Sequence, residues 1–180
     1  MPGILGFDPS RVIGWAYCLP GEPVDFGHQT LGRKGAEPED IGVALDIFLQ
    51  QIIPLCCPAL IVREQPFLSP NFQTAFILLG MSFRIDTVAR QYGIECGSII
   101  STEATKALTG RAKFPGKDYA ERRKAKKLAT MEACWARGWK ATEDEADAIA
   151  VTLLAETKRF PEAAMSRPMV LKAPSGPLFA

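Results

Sequence analysis

The chain has 180 residues, 47% of them hydrophobic and 23% charged, and a formal net charge of +1, which suits one soluble domain with a real core. No stretch approaches the roughly 20 apolar residues of a membrane span, and a first strand starting near Ile4 leaves no room for a targeting peptide. A single histidine (His28) and five cysteines without a C-x-x-C pair disfavour Ser-His or Cys-His hydrolases, His-rich metal sites, zinc and disulfides.

Ile4, Leu5 and Phe7 form a short apolar run closed at once by Asp8-Pro9-Ser10. That pattern predicts a strand buried on both faces. Asp8 then stands just off its end, where α/β sheets hold ligands. Val12–Leu19 and Val24–Leu31 predict two further strands. The short links between these three strands imply an antiparallel meander. Ile41, Leu45, Phe48 and Ile52 recur at helical spacing, with Pro54 as the expected stop. Ala59–Arg63 predicts a buried strand, and it places a second acid, Glu64, at a strand end.

Asn71–Tyr92 predicts a long helix closed by Gly93. Phe72, Phe76, Leu79 and Phe83 mark one face of it, Ile77, Met81 and Val88 another. Such a helix needs a second surface, supplied either by a partner subunit or by an internal position. Cys96–Ser101 predicts a fifth strand and Thr102–Leu108 a short helix. A basic loop, Arg111–Lys117, leads to a helix capped by Asp118, with Leu128, Met131 and Trp135 expected to pack. Thr142-Glu143-Asp144-Glu145 is a capping box. It opens a last helix with Ala146, Ile149, Ala150 and Leu153 inward. Residues 1–160 are read as one domain and 161–180, which contains four prolines, as a tail. The element order is that of an RNase H-like fold: a mixed five-stranded sheet, its first three strands antiparallel, with helices on both faces.

The charge is unevenly spread. Residues 106–140 hold eleven basic side chains against three acids, a local net of +8, which is the footprint expected for a polyanion. Asp144 and Asp147, three apart, share a helix face. If that turn meets the first and fourth strand ends, Asp8, Glu64, Asp144 and Asp147 converge. Four crowded carboxylates need neutralising, and oxygen-loving Mg²⁺ or Mn²⁺ suits them. Two such ions about 4 Å apart can drive phosphodiester hydrolysis without a histidine.

Ile-Leu-Gly-Phe-Asp-Pro-Ser with Gly14, Ile-Val-Arg-Glu-Gln-Pro-Phe with Asn71, Leu-Leu-Gly at 78–80, Thr105-Lys106 with Thr109-Gly110, and Asp144-Glu145-Ala146-Asp147-Ala148-Ile149-Ala150 together resemble RuvC-type Holliday junction resolvases over about residues 3 to 155. The resemblance implies that Asp8, Glu64, Asp144 and Asp147 are the metal-binding catalytic acids. Lys106 would meet the scissile phosphate, and one of Arg111, Lys113 and Lys117 the DNA backbone. Phe67 would stack on a base. Asn71 joins these implied contacts, and the charge of the basic block makes the helix bases Arg123, Lys124 and Lys127 further candidates for DNA contact.

It also implies a homodimer that acts on four-way or branched DNA, with Mg²⁺ as cofactor, in the cytoplasm of a bacterial or phage-infected cell. Ser10 stands where the family usually has Gly, Pro66 precedes the aromatic, and the 110–117 loop is long, which suits a divergent phage version. Two other readings compete. One is a non-catalytic DNA-binding module. The other is a nucleotide-binding domain of the actin and sugar-kinase type, which normally requires a duplicated domain.

Overall fold

In the computed structural model, residues 2–66 and 71–167 are described. The chain runs β1 (Gly3–Asp8), β2 (Val12–Cys18), β3 (Asp25–Thr30), α1 (Pro38–Cys56), β4 (Pro58–Glu64), α2 (Phe72–Gln91), β5 (Glu95–Ile99), α3 (Ser101–Thr109), α4 (Tyr119–Trp135), α5 (Glu143–Arg159) and α6 (Pro161–Ser166). The sheet order is β3-β2-β1-β4-β5. Links too short for a crossover make β1–β2 and β2–β3 antiparallel. Helical crossovers make β1–β4 and β4–β5 parallel. This is the expected mixed sheet.

Alternation along the strands sorts the core into two layers. Leu5, Phe7, Ile13, Trp15 and Ile61 pack on α1 and α2. Ile4, Ala16 and Val62 face the opposite way, onto α3, α4 and α5. On that second face α5 lies almost on the strand backbones. A Cβ at Gly6 would overlap the Thr152 hydroxyl, and one at Gly14 would overlap the Asp144 carbonyl. Glycine is required at both places for this approach.

Three expectations are corrected. Pro54 does not stop α1, which continues to Cys56. The proline is exposed, as is Gln50 four residues before it, so the carbonyl that loses its partner and meets the ring can tilt outward to water. Cys57 then ends the helix in the left-handed region, φ 45°, its N–H donating to the Ile53 carbonyl at 2.9 Å.

On α4, Leu128 and Trp135 are 46% and 50% exposed, while Thr130 and Cys134 are buried. The small residues face inward because α4 sits close to its neighbours. Residues 161–166, expected in the tail, form a helix that packs on α5. Residues 168–180 lie outside the described residues.

The long helix α2 is apolar on two sides, as expected. Met81, Ile85 and Val88 are buried, whereas Phe72, Phe76 and Phe83 are exposed. All five cysteines are free, and burial pushes the thiols of Cys56, Cys96 and Cys134 up to about 12. Thiols held protonated in this way are poor nucleophiles. Among the described residues no helix is long and apolar enough to cross a membrane.

Candidate active site

Asp8 and Glu64 are the last residues of β1 and β4, neighbouring parallel strands in which Phe7 is paired with Arg63. Asp8 follows Ile4 and Gly6 in parity, and Glu64 follows Leu60 and Val62. Both side chains therefore point to the α5 face. The same alternation sends Arg63 to the other face, where it makes a bidentate pair with Asp86 of α2 at 2.9 and 2.7 Å. That guanidinium is spent on Asp86, whose carboxyl it holds below the usual range, so it does not neutralise Glu64.

The first turn of α5 brings the other two acids. Gly14 pairs with Asp8 across the β1–β2 ladder, and the Asp144 backbone rests on Gly14. The capping box is formed on both sides. The Thr142 N–H donates to Glu145 Oε2 at 2.7 Å, while Glu145 Oε1 meets His28 Nδ1 at 2.8 Å. His28 itself pairs with Gly14 on β3. A single row, His28, Gly14, Asp8, then Glu64, thus crosses the sheet beneath the turn that carries Asp144 and Asp147.

The electrostatics record the convergence. Burial, then the charges of Asp147, Glu64 and Asp144, push the Asp8 carboxyl well above its ordinary value, against Lys127. Burial and Asp147 raise Glu64 against Lys126, a Ser101 hydrogen bond and Lys127. Burial, then Asp144, raise Asp147 against Lys126, Lys127 and Arg123. Asp144 is raised by burial and by Glu145, against Lys127 and His28. Among the described residues no three of these groups form a ready-made metal cage. They sit within electrostatic reach of one another without collapsing together. The donor set, four carboxylates whose like charges the nearby lysines only partly offset, is nonetheless the kind that fits Mg²⁺ or Mn²⁺.

The expected DNA-contact residues fall into separate groups. Lys106 is on the exposed face of α3, and Arg111, Lys113 and Lys117 are exposed in the loop that follows. None of these four is among the cations that weigh on the acids. Arg123 and Lys124 are exposed on α4, with Arg123 within reach of Asp147. Lys127 turns inward and pairs with Glu143. Asn71 caps α2, its Oδ1 accepting from the Thr74 N–H at 3.1 Å. Phe67 lies outside the described residues.

Sequence reasoning missed Ser101, Lys126 and His28. Lys126 had a readable signal, because it lies four residues before Thr130 and eight before Cys134, on the buried face of α4. The partner of His28 is 117 residues away, and nothing local announced it.

Fold and register together define a mixed sheet of the RNase H-like class. No protein-family model and no curated protein matches the chain; solved structures do. Thermus thermophilus RuvC bound to a Holliday junction substrate superposes with a TM-score of 0.65 at 12% identity, over 88% of this chain and 96% of that one. Thermus thermophilus RuvC alone gives 0.64 at 15% identity, with the same coverages. The yeast mitochondrial Holliday junction resolvase Ydc2 gives 0.54 at 11% identity, over 90% and 82%. The shared fold is that of these resolvases.

Proposed function

We propose that the chain is a divalent-metal-dependent endonuclease that resolves Holliday junctions or related branched DNA. The observation that carries this reading is that Asp8, Glu64, Asp144 and Asp147 stand within electrostatic reach of one another at one end of the sheet. Asp8, Glu64, Asp144 and Asp147 would hold the ions. When bound, these ions supply Lewis-acid activation of water and neutralise charge at the phosphodiester. The protein's own part is to fix the carboxylates by strand register and by the capped turn. Exposed Arg123, Lys124, Lys106 and the bases of the 110–117 loop offer a cationic approach for the backbone.

The uncovered stripe of Phe72, Phe76 and Phe83, 83%, 57% and 67% exposed, supports a homodimer joined through α2, with one active site for each of two strands. Phe67 and Asn71 would lie near the junction centre.

The test compares a four-way junction, a fork, a flap and a linear duplex in Mg²⁺, Mn²⁺ or chelator. Junction cleavage that needs the ion is expected, and Glu64→Gln and Asp147→Asn should abolish cutting while binding persists. Normal cutting by either variant would refute the assignment. Tight junction binding with no cleavage by the wild-type chain would favour a non-catalytic module instead.

A further inference from the structure

Two lysines of α4 stand within electrostatic reach of the four carboxylates at the acidic end of the sheet. Lys126 and Lys127 project from α4 on the side that buries Thr130 and Cys134. Lys126 Nζ donates to Ser101 Oγ, and Ser101 in turn favours the charged form of Glu64. A hydroxyl can accept one bond while donating another, so Ser101 can link the ammonium to the carboxylate. Lys127 Nζ pairs with Glu143 at the start of α5, one residue before Asp144, and its side chain is only 19% exposed. Both lysines bear on Glu64 and Asp147, and Lys127 also on Asp8 and Asp144.

A lysine placed to grip a DNA backbone keeps its ammonium open to solvent, as exposed Lys124 does on the same helix. Lys126 and Lys127 are instead turned toward acids. Partly buried like charges are costly unless opposite charge lies close. We propose that Lys126 and Lys127 are resident counter-cations of the acidic pocket. They hold its carboxylates in place when no divalent ion is present, and they oppose that ion's binding when it arrives. Lys126 acts through Ser101 as a positioning residue for Glu64. The inference rests on the metal-site reading above and adds to it a built-in competitor, which weakens metal affinity and lets the metal-free protein keep its shape.

The experiment uses the full chain after chelator treatment, with Mn²⁺ as probe, and reads thermal melting and Mn²⁺ binding by calorimetry without DNA. Lys127→Met and Lys126→Met keep the side-chain stem but lose the charge. Each should melt about 3 °C lower in chelator, gain a larger rise on adding Mn²⁺, and bind Mn²⁺ about tenfold more tightly. Lys127→Arg, which keeps the charge, should behave as wild type, and so should Lys140→Met, at an exposed site.

A Met variant that folds only in Mn²⁺ would be the extreme supporting result. Unchanged melting and unchanged affinity in both Met variants would overturn the proposal, as would weaker Mn²⁺ binding or failure to fold even with the ion. If the wild-type chain itself neither binds Mn²⁺ nor melts higher with it, the metal-site reading is what fails.

Discussion

The two faces of the sheet are packed by opposite means. Toward α1 and α2 the strands present bulk: Leu5, Phe7, Ile13 and Ile61 meet Leu45, Phe48, Ile52 and Ile85. Toward α5 they present small residues, Gly6, Gly14 and Ala16, against Ala146, Ala148 and Ala150. Large side chains contribute stability through buried area, but they hold a helix at a distance from the strands. Small ones allow backbone-to-backbone approach, which is what sets the Asp144 turn on Gly14, the cross-strand partner of Asp8. The bulky face stabilises the domain and the sparse face sets the geometry of the site.

That division can be broken from either side. The largest effect is expected on the bulky face. Phe7 is fully buried, edge-on to Phe48 with ring centroids 6.2 Å apart. Phe7→Ala should cost about 4 kcal/mol in a urea titration while leaving the acid register intact in whatever fraction stays folded. A cost below about 1 kcal/mol would show that this layer is not what holds the sheet.

Next comes Gly14→Ala on the sparse face, where the new methyl would strike the Asp144 backbone. The proposed junction cleavage should fall on the order of 100-fold from misplaced acids, with the far-ultraviolet circular dichroism retained. Gly42→Ala, on α1 where a Cβ meets nothing, should instead stabilise by about 1 kcal/mol. Equal behaviour of the two variants would end the argument from close approach.

The smallest effect concerns pH. The Asp8, Glu64, Asp144 and Asp147 carboxyls are all raised in the folded state. Folding is therefore favoured by their protonated forms. That contribution is complete below the ordinary carboxylate value of about 4, and it is lost as pH rises through the raised values. Without divalent ions, Asp147→Asn should melt about 3 °C above wild type at neutral pH, with the gap closing as the solution is acidified. A variant that melts lower at neutral pH would mean that Lys126 and Lys127 more than cancel the cost of burying the Asp147 charge.

Much of the candidate site is legible in the linear chain because local signals mark it. Asp8 follows an apolar run cut by Pro9, Glu64 follows another, and the capping box that opens α5 sets Asp144 and Asp147 on one face. Where local signals competed, apolarity misled. Leu128 and Trp135 looked like the inward face of α4, yet the tight fit against α3 and α5 admits Thr130 and Cys134 instead. Lys127, read as a DNA contact from the charge of its segment, faces Glu143.

Strand parity, helix starts and the parallel crossovers follow from the order of residues alone, because they depend on side-chain period and link length. Which cations stand opposite the acids was decided only in three dimensions. Lys126 reaches Ser101 from 25 residues away and His28 reaches Glu145 from 117. Contacts of that kind depend on how closely two helices can approach one sheet, a distance set by glycines and alanines whose own sequence context says nothing of the charges they bring together.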